Sequence, residues 1–172
     1  MRVVLLCFFL ASPALTQDKG IVAATLAGCG PSNVKFDVKQ EPIQPAIAPE
    51  SGKALAYVIE DIGTTECLGG CVTLKVGLDG SWAGANQGNS HFSFSVAAGE
   101  HHLCANWQSS FQRLSSLYAL ANFTAEASKV YYFRVRTLAS TGTEFLDFEA
   151  VNSDEGRYLV AASVPVTSHP KK

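Results

Sequence analysis

Apolar and polar residues alternate along most of the chain, which is the pattern of half-buried β-strands. The alternation is clearest from Val130 to Arg136, where Tyr131, Phe133 and Val135 share one face. The run Ala54–Ile59 is apolar throughout and has the length of a central strand. The pattern predicts an all-β fold, a β-sandwich of about 7–8 mainly antiparallel strands.

The middle of the chain predicts strands joined by tight turns at Asp79-Gly80 and Ala98-Gly99, because glycine tolerates the positive φ of such turns. We expect residues 91–97 and 100–107 to pair as a hairpin around the second turn. Gly84–Asn89 is expected to form a glycine-rich loop at one end of the sandwich.

The two ends of the chain give weaker patterns. A short N-terminal helix beginning near Asp18, a strand and a proline-rich connector are expected within residues 18–53. The sandwich is expected to occupy residues 54–165, in which Gly156–Ala162 is a short C-terminal helix or a final strand. Residues 166–172 are expected to be a polar tail. In the hairpin of residues 130–136 and 145–151, arginines and carboxylates are expected to meet on the solvent face.

The first residues have the composition of a secretory signal peptide. Met1-Arg2 precedes the wholly apolar run Val3–Leu10, and small residues follow near Ala14. The run is too short for a membrane span, which needs roughly 20 apolar residues. We therefore expect residues 1–17 to be a signal peptide, no transmembrane segment, and a secreted or periplasmic location.

The cysteines support export. Cys7 lies in the signal, and the other four are even in number, so they are expected to form two disulfides. Four cysteines allow three connectivities, of which Cys67–Cys71 with Cys29–Cys104 is favoured because Cys67 and Cys71 enclose a short, glycine-containing loop. The alternative is a lipoprotein anchored at Cys29, because Leu26–Cys29 matches a bacterial lipobox. Asp18-Lys19-Gly20 interrupts the apolar segment that a lipobox requires.

The charge balance limits the class of partner. The chain has 13 basic and 15 acidic residues, a net charge of −2 at pH 7. Loss of the signal removes Arg2 and leaves 12 basic and 15 acidic residues, a net charge of −3. This charge balance argues against a nucleic-acid partner, which would need a basic face. No cofactor is indicated.

Two groups of residues are candidates for a site. His101 and His102 with Glu100, together with His91, form the only concentrated ionisable cluster in the sequence. Its candidate metal ligands are His91, Glu100 and His102, but their spacing does not favour the convergence that a metal ion needs. Ordinary packing or surface histidines are the favoured interpretation. A nucleophile made from Cys104 and His102 conflicts with oxidation of the thiol in an exported protein.

The predicted glycine-rich loop is the other candidate, for ligand contact through Trp82, Asn86, Gln87 and Asn89. It is not a phosphate-binding loop, because the lysine and the following helix are missing. A turn without a ligand is the favoured interpretation of this loop.

Several stretches together resemble the bacterial domain-of-unknown-function family numbered 2846, and the two central turns are similar to the PEGA domain. The stretches are Gly52–Ile59, Val76–Trp82, Gly84–Phe94, Ala98–Cys104, Val130–Val135 and Asp154–Leu159. Here Ala98-Gly-Glu replaces the proline-glycine usual in PEGA domains. The resemblance implies an extracytoplasmic sandwich related to transthyretin-like and carboxypeptidase-regulatory folds, at the cell surface or envelope. It implies no catalytic residues.

Two functions remain. The favoured one is a non-enzymatic secreted or periplasmic β-sandwich that binds an envelope protein or glycan, or has a structural role there. The alternative is a metal-dependent or hydrolytic enzyme that uses His91, Glu100 and His102. The first is favoured because no set of nucleophile, base and orienting group is visible in the sequence.

Overall fold

The computed structural model describes residues 28–43, 47–62, 71–140 and 143–172. These residues form two sheets of mainly antiparallel strands, which confirms the predicted all-β sandwich. The described strands are β1 (Phe36–Gln40), β2 (Lys53–Glu60), β3 (Thr73–Leu78), β4 (Ser81–Gln87), β5 (Ser90–Ala97), β6 (Gly99–Gln108), β7 (Tyr118–Ala125), β8 (Val130–Ser140), β9 (Thr143–Val151) and β10 (Val164–Pro170). Two short helices are described, α1 (Gln112–Ser115) and α2 (Ser153–Ala162). The predicted signal peptide and N-terminal helix lie outside the described residues, apart from the last residues before β1.

The larger sheet has six strands in the order β1-β10-β5-β2-β8-β9. The apolar strand β2 lies inside it, antiparallel to β5 and parallel to β8. The smaller sheet has the order β4-β3-β6-β7, and all of its pairs are antiparallel. The two sheets face each other, as the alternation of apolar residues on both requires.

The core lies between the two inner faces. Phe133 of β8 is fully buried, and its ring centroid lies 4.8 Å from that of Phe123 in the opposite sheet. Leu74, Val76 and Leu103 bury the inner face of the smaller sheet. Burying side chains of this kind contributes about 1.5–3 kcal/mol each, so this layer is the main source of stability.

The predicted hairpin around Ala98-Gly99 is wrong. β5 pairs with β2 and β10 in the larger sheet, whereas β6 pairs with β3 and β7 in the smaller one. Ala98 therefore links the two sheets. Alternation shows that a strand has one buried face, but both sheets of a sandwich supply such a face, so the pattern does not determine the partner.

The predicted loop Gly84–Asn89 is also wrong, because β4 continues to Gln87. Gly84 lies inside this strand, where a Cβ atom would sit 2.6 Å from Cε2 of Phe92 in the other sheet. The glycine is thus explained by a close approach between the sheets rather than by a loop.

The C-terminal segment differs from the prediction in part. Of the two alternatives predicted for Gly156–Ala162, the helix is confirmed, as part of α2. Asn152 Oδ1 caps α2 by accepting hydrogen bonds from the backbone N–H groups of Asp154 and Glu155. The predicted polar tail is largely strand β10, which pairs antiparallel with β1. Backbone hydrogen bonds hold this pair, and they do not require an apolar side-chain pattern.

The β8–β9 hairpin is confirmed, with the expected charge pairs across it. Arg134 contacts Glu149, and its Nη1 lies 2.8 Å from Oε1 of Glu155 in α2. Arg136 Nε lies 2.9 Å from Oδ2 of Asp147. These pairs connect β8, β9 and the helix on the outer face of the larger sheet.

A disulfide joins Cys29, before β1, to Cys104 in β6, with the two Cα atoms 5.1 Å apart. Cys71 is also disulfide-bonded, and its predicted partner Cys67 lies outside the described residues. A sulfur bonded to Cys104 cannot also carry a lipid, so this disulfide and lipid anchoring at Cys29 are mutually exclusive.

We predict that the double variant Cys29→Ala/Cys104→Ala is less stable than the parent by about 4 kcal/mol, because the bond closes a long loop in the unfolded chain. The cysteines are separated by 75 residues. Urea unfolding of the oxidised proteins measures the difference, and in excess reductant the two proteins should unfold at similar urea concentrations. Equal stability of the oxidised proteins would contradict the prediction.

Candidate functional site

The structure does not bring His91, Glu100 and His102 together. His91 lies in β5 of the larger sheet, 3 % exposed, with Nδ1 2.8 Å from Oγ of Ser163 at the end of α2. Burial lowers the pKa of His91. Glu100 and His102 lie in β6 of the smaller sheet, beside a cavity of about 270 Å³ that His91 does not line. Within the described parts of the chain, no group of three or more metal-binding side chains could hold an ion.

His101, the remaining histidine of the predicted cluster, has a carboxylate partner. Its Nδ1 lies 2.6 Å from Oδ2 of Asp79, and its Nε2 lies 2.9 Å from the carbonyl oxygen of Ala97. The other carboxylate oxygen, Oδ1 of Asp79, accepts from the backbone N–H of His102 at 2.8 Å. Both ring nitrogens of His101 therefore face acceptor oxygens of the protein itself.

Asp79 is the residue that organises this contact. Burial raises the pKa of Asp79, whereas the hydrogen bonds from the His102 N–H and the His101 ring lower it. The lowering is the larger effect, so the pKa of Asp79 lies below the usual 3.8. The sequence showed the turns at Asp79 and Ala98 but not their proximity. The proximity follows from the pairing of Leu78 with Leu103, which places both turns at one end of the sandwich.

The four residues predicted for ligand contact bond to the protein itself. Asn86 is fully buried, and its Nδ2 donates to the carbonyl of Val58 at 3.2 Å. Nε2 of Gln87 donates to the carbonyl of Cys71, Nδ2 of Asn89 to that of Ala162, and Nε1 of Trp82 to that of Pro31. Burial removes Asn86 from any surface site, and the other three polar groups tie β4 and the turn after it to their surroundings.

Residues 28–35, which we call the N-terminal strap, cover the outer face of the smaller sheet. The disulfide from Cys29 fixes the strap to β6. The contact is close, because a Cβ atom at Gly77 of β3 would lie 2.6 Å from the carbonyl oxygen of Gly28. A sheet face that would otherwise meet solvent is therefore partly enclosed.

Lys75 lies beneath the strap, in the middle of β3. It is 4 % exposed, its Nζ lies 3.3 Å from the carbonyl oxygen of Val34, and it lies 4.2 Å from the ring centroid of Trp82. Burial lowers the pKa of the amine. In the described part of the chain, no carboxylate oxygen lies within 4.0 Å of it.

A cavity of about 230 Å³ adjoins Lys75 on this face. Two of its walls are fixed by hydrogen bonds. Nε2 and Oε1 of Gln108 bond to the backbone carbonyl and N–H of Phe36, and Nδ2 of Asn106 donates to the carbonyls of Ser115 and Leu117. The described lining residues are Ser32, Val34, Lys35, Lys75, Asn106, Trp107, Gln108, Ser109, Ser115 and Tyr118.

The sequence does not indicate this cavity, because Lys75 follows the ordinary alternation of a half-exposed strand, Thr73–Leu78. Lysine on such a strand normally faces solvent. Its burial comes from the strap, which begins more than forty residues earlier in the chain. The available signal was the pairing of Cys29 with Cys104, which places the strap over β6 and the adjacent β3.

Comparisons with known proteins give no match: no family model, no curated protein and no solved structure matches the chain. The resemblance to family 2846 and to PEGA domains therefore stays a prediction. Among the described residues, no helix has the length and apolar character needed to cross a membrane. The disulfide fits an extracellular or periplasmic location, since such bonds persist in oxidising compartments.

We predict that Asp79→Asn lowers stability at neutral pH by about 0.5–1 kcal/mol, a value reduced for solvent screening of a carboxylate that is 43 % exposed. The folded-state pKa is lowered, so the carboxylate stabilises the fold above pH 3.8 and loses this effect as pH falls through the folded pKa. The difference from the parent should therefore disappear in acid.

Urea unfolding of both proteins from neutral pH to below pH 3.8 measures this effect. Asp37→Asn is the matched control, because that side chain is 73 % exposed and pairs with Lys171 at the surface. A difference between parent and Asp79→Asn that stays constant across the pH range would refute the assignment.

Proposed function

We propose that the chain is a secreted or periplasmic β-sandwich domain of the cell envelope that works by binding rather than by catalysis. The observation that carries the proposal is the cavity beside Lys75, enclosed by a strap that a disulfide holds in place. Concave sites with a few convergent polar groups are the usual form of a ligand site.

Export is supported by two independent features. The basic residue Arg2 precedes an apolar run of signal length and small residues, and the fold contains disulfide-bonded cysteines. A stable bond between Cys29 and Cys104 needs an oxidising compartment. The expectation from the resemblance to family 2846 and PEGA domains agrees with this location.

Binding is favoured over catalysis by the placement of the ionisable groups. His91 lies in one sheet and His102 in the other, and both ring nitrogens of His101 face acceptor oxygens. The cavity beside Lys75 instead has walls fixed by hydrogen bonds to the backbone, which suits a preformed binding site.

We predict that the full chain, expressed with a C-terminal tag in a bacterial host, is exported and loses about its first 17 residues. Cell fractionation, mass measurement of the N-terminus and alkylation of thiols test this, with Cys29 and Cys104 expected to resist alkylation. Leu6→Arg, which interrupts the apolar run, is the matched control and should stay in the cytoplasm. A parent chain that remains cytoplasmic with alkylated cysteines would contradict the proposal.

A further inference from the structure

Lys75 is a buried cation with an unusual set of neighbours. A buried ammonium is normally paired with a carboxylate, because taking a lone charge out of water is costly. The chain follows this rule at Arg134, whose side chain is 16 % exposed and lies beside Asp61, Glu149 and Glu155. Lys75 is a 4 % exposed residue, yet its described neighbours are a carbonyl oxygen and an aromatic ring.

The amine keeps donor capacity toward the cavity. An ammonium has three N–H donors, and the carbonyl of Val34 accepts one of them. The cavity lining also contains the side chains of Ser32, Ser109 and Tyr118, each of which carries a hydroxyl donor. The Ser109 oxygen accepts from the N–H of Phe111, which fixes the position of this hydroxyl in the lining.

The charge of the cavity is positive. Of the described residues that line it, Lys35 and Lys75 are basic and none is Asp or Glu. The whole chain has a net charge of −2, so this local excess of positive charge is opposite to the average of the protein. A concave site of this sign attracts anions.

We propose that the cavity binds a small molecule through its carboxylate group, with Lys75 as the charged partner and the adjacent hydroxyls as further donors. This inference rests on the proposed binding function and names its ligand class. A carboxylate is favoured over a phosphate because the described lining contains no arginine and α1 has only four residues. Arginine forks and the N-termini of longer helices are common phosphate partners.

The size of the cavity limits the ligand. A volume of about 230 Å³ equals that of about eight waters, each with a share of about 30 Å³ in the liquid. Carboxylic acids of up to about this number of heavy atoms fit, from acetate and lactate to benzoate at the upper limit.

The test is calorimetric titration of the purified, oxidised parent protein with acetate, lactate and benzoate at constant ionic strength. Each acid is matched with its neutral amide, namely acetamide, lactamide and benzamide, and inorganic phosphate is the anion control. We expect saturable binding of at least one carboxylate, at least tenfold weaker binding of its amide, and phosphate weaker than that carboxylate.

Lys75→Met keeps the length and apolar stem of the side chain but removes its charge. We expect it to bind the carboxylate at least tenfold more weakly than the parent. It should melt at the same or a higher temperature, because the buried charge is gone. Lys39→Met is the matched control, since that side chain is 76 % exposed, pairs with Glu41 and does not line the cavity; its affinity should equal that of the parent.

Tyr118→Phe and Ser109→Ala test the cavity without touching Lys75, and each should weaken carboxylate binding several-fold. These variants decide the question if Lys75→Met does not fold. Unchanged affinity in all the folded cavity variants, equal binding of acid and amide, phosphate binding as tight as that of any carboxylate, or no saturable carboxylate binding by the folded parent would overturn the inference. A chain that is exported but binds no carboxylate refutes this inference alone, whereas one that binds but stays cytoplasmic refutes the proposed location.

Discussion

The bond between Cys29 and Cys104 is the constraint on which the proposed site depends. It holds the N-terminal strap against the outer face of the smaller sheet, a face that would otherwise meet water. The strap encloses Lys75 and places the carbonyl of Val34 beside its amine. Strand β3 accommodates this cover because it has glycine at position 77, where a side chain would strike the strap. The geometry of the proposed site therefore depends on this disulfide.

The fold class was predictable because alternation is a local property of each strand. Residues 130–136 show it directly, and their hairpin with β9, including the arginine–carboxylate pairs, is as expected. The partners of β5 and β6 were not predictable, because either sheet of a sandwich can bury an alternating strand. The prediction of a loop at Gly84–Asn89 was wrong for a similar reason. Gly84 is a glycine because Phe92 of the other sheet approaches it closely, and a contact between sheets cannot be recognised from the local sequence.

The candidate site was less predictable than the fold. The histidines form a cluster in the sequence, but the chain crosses between the sheets at Ala98, so that His91 and His102 lie in different sheets. Lys75 has the sequence context of an ordinary strand residue, and only the strap makes it a buried cation. Chemical identity was visible in the sequence for all of these residues. Burial was not, since it depends on segments distant in the chain.

The strap and its disulfide bury the Lys75 amine beside a preformed cavity. An NMR titration of the lysine side chains, in protein labelled with ¹³C at Cε, measures this burial most directly. We expect the pKa of Lys75 to lie below the usual 10.5, because burial disfavours the charged form, and to lie below those of the surface lysines. Reduction of the disulfide should return it toward the ordinary value. A Lys75 that titrates together with the surface lysines in the oxidised protein would contradict the account.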